Sequence, residues 1–236
     1  MYSRLLFLLS LFVLILHLGA CSSNETSSKH PYANYFYPIL DEPKIYVYRD
    51  IVGGLEEQFH RVYSVKDHLG HHVVVERYAS DGRILEALNF NVDSLNIQDH
   101  MVVNRNQKKT KAFVYKTTYF PWNKTEQTWF STKFEGVLDS TLILQELKRN
   151  VLSENVIIDV MGEQTKSIKY KDHTKFTLIN PFTKTEKVME LPSYTYYADG
   201  VGLVEWKSNG NKVHFKLEQI MEQSEWLKFI RPREYC

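Results

Sequence analysis

Three imidazoles fall close together at His68, His71 and His72, in the segment Asp67-His68-Leu69-Gly70-His71-His72, with His60 a few positions upstream. Neutral imidazoles that converge on one side of a hairpin can ligate zinc or copper, and a metal held there would suit a hydrolase. The spacing limits this reading. Adjacent strand residues point to opposite faces, so His71 and His72 diverge and at most two of the three converge easily. A solvated turn is the simpler expectation. Asp99-His100 and Asp172-His173 are isolated acid–histidine neighbours. No Gly-x-Ser-x-Gly elbow, His-Glu-x-x-His helix, phosphate-binding loop or Cys-x-x-Cys pair accompanies them. The expectation is a protein without catalytic residues and without a cofactor.

Cys21 is the most informative single residue. It comes directly after Leu18-Gly19-Ala20 at the end of an apolar run from Leu5 to Leu18, with Arg4 as a short positive lead. A spanning helix needs about 20 apolar residues, and this run is shorter and is broken by His17 and Gly19. The arrangement resembles the lipobox of bacterial lipoproteins. That resemblance implies removal of residues 1–20 as a signal peptide and acylation of Cys21, which then anchors the chain to a membrane through its acyl chains. Ser22–His30 is polar and aperiodic, so residues 21–34 are expected to form a flexible lipidated tether and 35–236 a single domain. Ser22 stands where an aspartate would signal inner-membrane retention, which favours the outer membrane, facing the periplasm. With Cys21 lipidated, Cys236 has no partner in its chain and the domain folds without a disulfide. The chain carries 29 basic and 28 acidic side chains, and Arg4 is the one charge in the first twenty residues. Once those residues are removed the mature chain is formally neutral, with no long-range field to gather nucleic acid.

The elements that position these residues read as antiparallel strands. Tyr, Phe, Val, Ile and Thr are abundant, and Pro and Gly fall between apolar runs. Ser80-Asp81-Gly82-Arg83 and Ser208-Asn209-Gly210-Asn211 look like two-residue hairpin turns of type I′. Beyond the second, Val213, Phe215 and Leu217 alternate with His214, Lys216 and Glu218, the pattern of a sheet with one wet face. Asp139–Asn150 suits either a capped helix or a strand, and its strand-like neighbours favour strand. Met221–Ile230 is a candidate helical turn with Trp226 beneath the sheet edge. The expected fold is mainly β, a single curved antiparallel sheet or half-barrel built as a meander, with little helix.

Tyr197-Ala198-Asp199-Gly200-Val201-Gly202-Leu203-Val204 resembles the closing hairpin of many bacterial envelope lipoproteins, some of which are thought to share the half-barrel of the lipoprotein-localisation factors that cradle acyl chains. Gly200 and Gly202 permit a bulge or a close backbone approach there. Tyr35, Tyr37, Trp122 and Trp129 could stack on a ligand or partner; the competing reading docks the tyrosines onto the sheet and uses the tryptophans to plug the core. Three functions stand as expectations: a lipoprotein holding an apolar ligand or lipid in its curved sheet, a scaffold for another envelope protein, and, last, a metal-dependent hydrolase at the Asp67–His72 turn. The lipobox generates the first prediction. Protein extracted from membranes should start at residue 21 and carry acyl chains by mass, and Cys21→Ala should release it; an unmodified, soluble wild type would refute the anchor.

Overall fold

In Lys44–Asp50 (β1) successive side chains take opposite sides, and both sides are covered. Tyr46 and Tyr48 enter the main core, whereas Ile45 and Val47 lie under Trp226. This computed structural model describes residues 29–230 apart from 69, 105, 107 and 137–140. The lipobox, Cys21 and Cys236 lie outside the described residues. After β1 come Gln58–Asp67 (β2), Gly70–Tyr78 (β3), Ile84–Asn91 (β4), Ile97–Val103 (β5), Lys109–Lys111 (β6) and Phe113–Thr117 (β7). Gln127–Glu135 (β8), Leu142–Val160 (β9), Glu163–Ile179 (β10), Glu186–Ala198 (β11), Gly202–Ser208 (β12) and His214–Glu222 (β13) complete the described strands.

All belong to one antiparallel sheet of 13 strands, ordered β6-β5-β4-β3-β2-β1-β13-β12-β11-β10-β9-β8-β7. Strands adjacent in the chain are adjacent in the sheet except β6 and β7, which form its two edges, and β1 pairs with β13. Only Ala112 separates β6 from β7, and its N–H donates to the His100 carbonyl at 2.8 Å. One run of chain thus pairs first with β5 and then with β8, so the sheet nearly closes into a barrel. The sequence-based expectation of a curved meander holds, with the curl carried past a half-barrel.

The ambiguous segment is strand from Leu142 onward, the start of β9. The expected helical turn is a helix from Gln223 to Ile230 (α1), lying outside the barrel with Trp226 buried against Tyr78 and Phe59. Among the described residues no helix is long and apolar enough to cross a membrane. The hairpin turns differ from the type I′ expectation. Gly82 has φ +83° while Asp81 does not have positive φ, and in the second turn the left-handed residues are Gly210 and Asn211 rather than Asn209 and Gly210. The Gly82 N–H bonds to the Ala79 carbonyl at 3.0 Å and the Ala79 N–H to that of Arg83 at 2.9 Å, so one left-handed glycine closes the turn.

The turns β4–β5 and β11–β12 share one end of the barrel, and the segment before β1 closes that end. The His30 N–H donates to the Asp93 carbonyl at 2.7 Å, the Gly200 N–H to the Asn34 carbonyl at 2.8 Å, and the Tyr32 hydroxyl to Glu154 at 2.7 Å. Phe36 and Tyr37 turn inward and are buried among Phe90, Phe120 and Tyr46. This approach explains the glycine pair. Gly200 and Gly202 have φ +72° and +103°, and a Cβ on Gly202 would lie 2.5 Å from Cδ1 of Tyr37. The β11–β12 ladder slips just beyond, where Tyr196 faces Glu205 but Tyr197 faces Leu203. Gly200→Ala meets no atom and should lose about 1–2 kcal/mol for the left-handed backbone alone. Gly202→Ala adds a clash with a packed ring and should lose about 3 kcal/mol or more. Chemical denaturation checks the ranking; equal, small losses would contradict it.

Candidate ligand-binding cavity

Strand alternation sends Tyr48, His60, Arg77, Glu86 and His100 inward from β1 to β5, and Leu147, Arg149, Asp172 and Thr195 inward from β9 to β11. Apolar side chains cannot fill so wide a ring of strands, and a cavity of about 610 Å³ remains. That volume falls within the ~300–1,000 Å³ typical of small-molecule sites. Its floor includes Phe36, Tyr37 and Phe90, and its opposite end reaches Ser208, Asn209 and Lys212 in the β12–β13 turn. Leu88, Phe130, Leu147 and Trp206 supply apolar wall.

Two charged groups face this space. On one wall Arg77 forms an ion pair with Glu86, whose other oxygen lies 3.1 Å from His100 Nε2. His100 Nδ1 is 3.2 Å from Thr132 Oγ1, so the imidazole bridges β5 and β8 across the seam that β6 and β7 close. Burial alone would raise the Glu86 pKa; the Arg77 charge and the hydrogen bonds from His100 and Arg77 outweigh it and hold the carboxyl down at about 2.

On the other wall Arg149 and Asp172 form a two-point pair, Nε to Oδ1 and Nη2 to Oδ2 both at 2.8 Å, with Thr195 Oγ1 donating to Asp172 at 2.9 Å. Both are almost wholly buried. The Arg149 Cζ also lies 4.6–5.4 Å from the ring centres of Tyr119, Phe120, Tyr170 and Tyr197. Burial works against its charge, yet Asp172 overcomes that and holds the guanidinium pKa well above the ordinary value.

The sequence-predicted residues are dispersed. His68 is exposed, His71 and His72 take opposite faces, and His72 is buried with Nε2 3.0 Å from Asp67. Among the described residues no group of three His, Cys, Asp or Glu is placed to hold a metal ion. His60 lies inside the barrel, on the face opposite to His72. Its ring packs 4.4 Å from Tyr48 and stacks on Trp206. Of the four candidate aromatics, Tyr37 lines the cavity, its hydroxyl 3.3 Å from that of Tyr48, and Tyr35 ends a short 3-10 turn beside it. The tryptophans do not plug the core. Trp122 packs 4.6 Å from His30, and Trp129 is exposed on the outer face between Lys116 and Lys148.

Sequence reasoning passed over Arg77, Glu86 and Arg149, and it noted Asp172 only as a neighbour of His173. The signal for Arg149 was its phase, shared with Leu147 and Val151 on an apolar face.

No family model matches the chain, and no curated protein matches it. Among solved structures it is similar to a protein from Parabacteroides distasonis, provisionally described as a lipoprotein, with 13% identity, a TM-score of 0.48, and 79% of this chain and 98% of that one covered. It is also similar to a Bacteroides fragilis protein, provisionally described as exported and as having a YmcC-like fold, with 12% identity, a TM-score of 0.47, and 79% and 99% covered.

The Glu86 environment predicts acid lability. Its folded pKa lies below the ordinary 4.5, so its contribution is present in full above that value and is lost as the pH falls towards 2. The shift corresponds to about 3 kcal/mol. Unfolding measured against pH should show this loss in wild type and a flatter acid limb, with lower neutral stability, in Glu86→Gln; identical acid limbs would refute the assignment.

Proposed function

We propose that the chain is a membrane-anchored lipoprotein of the bacterial cell envelope, and that its barrel carries an apolar ligand without transforming it. The anchor rests on the Leu18–Cys21 box. The carrier reading rests on one observation, the cavity of about 610 Å³, whose apolar walls continue up to Leu191, Pro192 and Val213 near the β12–β13 turn. A non-catalytic role is supported by the state of the polar groups inside. The inward carboxylates of Glu86 and Asp172 are each tied to a guanidinium group, and His60 packs against rings rather than against a hydroxyl it could activate.

A scaffold role has one feature in its favour, the exposed Phe182, Val188 and Leu191 on the β10–β11 hairpin. That role calls for a filled interior, and the hollow one favours carriage. Full-length protein should take up one equivalent of a fluorescent apolar probe such as a naphthalene dye. Thr174→Trp, which places an indole in the cavity wall, should weaken uptake about tenfold or more with little change in melting temperature. Unchanged uptake by a folded Thr174→Trp variant would place the probe elsewhere and remove the carrier reading.

A further inference from the structure

The polar atoms inside the barrel specify the chemistry of the occupant, an inference that rests on the carrier reading above. His60 and Arg77 are directly opposed on β2 and β3, and both line the cavity. Neither ring nitrogen of His60 nor Nε of Arg77 has a hydrogen-bond partner among the described residues, and all three are buried. On the far wall Nη1 of Arg149 likewise has no oxygen partner and is surrounded by aromatic rings. Buried polar groups are seldom left unpaired, and such exceptions concentrate where a ligand completes them. Guanidinium nitrogens only donate, and a neutral imidazole offers one donor and one acceptor. The unmet demand is therefore mainly for acceptors.

Charge decides which acceptors fit. At depth Arg77 is balanced by Glu86 and Arg149 by Asp172, while Lys212 lies at the mouth, in the β12–β13 turn. Burial, with the Arg77 charge alongside, holds the His60 pKa well below its ordinary value, so the imidazole is neutral. A carboxylate or phosphate entering this balanced space would be buried without a counter-ion, which is strongly unfavourable. An ester, amide or ketone oxygen meets the same donors without that penalty.

The walls also set the direction of entry. Thr174, Phe176 and Leu191 share the inward face of β10 and β11 with Asp172 and lead from the charged level to the mouth, where Met189 and Leu191 are exposed. We propose that the cavity takes an elongated apolar molecule head first, with an uncharged acceptor such as an ester or amide carbonyl held at His60 and Arg77 and the apolar body lying toward Phe176 and Leu191.

The test titrates methyl palmitate, palmitate and hexadecane against the full-length chain held in an amphipathic polymer, reading stoichiometry and affinity by native mass spectrometry. Methyl palmitate should bind one per chain, at least tenfold more tightly than palmitate or hexadecane. His60→Leu should lower its affinity about tenfold, the scale of one hydrogen bond, and leave hexadecane unchanged, while His60→Gln, which keeps a donor, should retain it. Palmitate binding as tightly as its methyl ester would overturn the uncharged head and leave the carrier standing. Unaltered methyl palmitate binding in His60→Leu would overturn the placement of the head. Failure of all three compounds to bind would take the carrier reading down with the inference.

Discussion

A single sheet has one face to bury and nothing but itself to bury it against. That constraint governs this chain, whose described residues include one short helix on the outside, over Ile45 and Val47. The sheet therefore curls until β1 meets β13 and the β6–β7 run touches both β5 and β8. A barrel of this many strands is too wide for its own inward side chains to fill. Filling comes instead from two segments that are not strands: the stretch before β1, which contributes Phe36 and Tyr37, and the loop after β7, which contributes Tyr119 and Phe120. Both work from the closed end, so the space they leave lies toward the opposite end.

The charged pairs arise from the same width. A guanidinium in an apolar core is tolerable only with a matched carboxylate, and replacing such pairs by hydrocarbon is often no loss in stability. Arg149 and Asp172 have that match, with Thr195 and four rings around them. Glu86, Arg77 and His100 tie β3, β4 and β5 together and reach Thr132 on β8. Hydrogen bonds across the β5–β8 seam hold the curl where the backbone ladder changes partner. The polar interior thus has a structural role, and the atoms it leaves without partners include those of His60 and Arg77, which face one another across β2 and β3, and Nη1 of Arg149 on the far wall.

Much of the fold was legible in the sequence because local rules and the global arrangement agree. The Val213, Phe215, Leu217 alternation, the glycine turns and the scarcity of helix all point to a meander, and Trp226 marks an apolar cluster outside it. The site was less legible, for a physical reason. His68, His71 and His72 attract notice because they are close in the chain, yet pleating sends them apart. Glu86 and His100, or Arg149 and Asp172, are distant in the chain and meet only through register. Asp172 was visible beside His173, but its partner is the residue across the strand, not the one next to it. The in-phase position of Arg149 between Leu147 and Val151 was the available clue; a charged residue on an apolar face demands a partner, and the sequence does not say which.

The point at which the chain enters the fold bears on how a carrier anchored at Cys21 could work. His30 is bonded to Asp93 at the closed end, away from the mouth at the β12–β13 turn. Nine residues from Ser22 to His30 span at most about 32 Å. β12, which joins the closed end to the mouth, has 7 residues, and at ~3.3 Å each it measures roughly 23 Å along its own axis, or about 18 Å along a barrel whose strands tilt near 40°. A tether of that reach is longer than the wall between the two ends, so an anchor at Cys21 would let the mouth as well as the closed end approach the bilayer. The exposed Phe182, Val188 and Leu191 of the β10–β11 hairpin lie at the same end as the mouth, so whichever surface approached that end would meet them first.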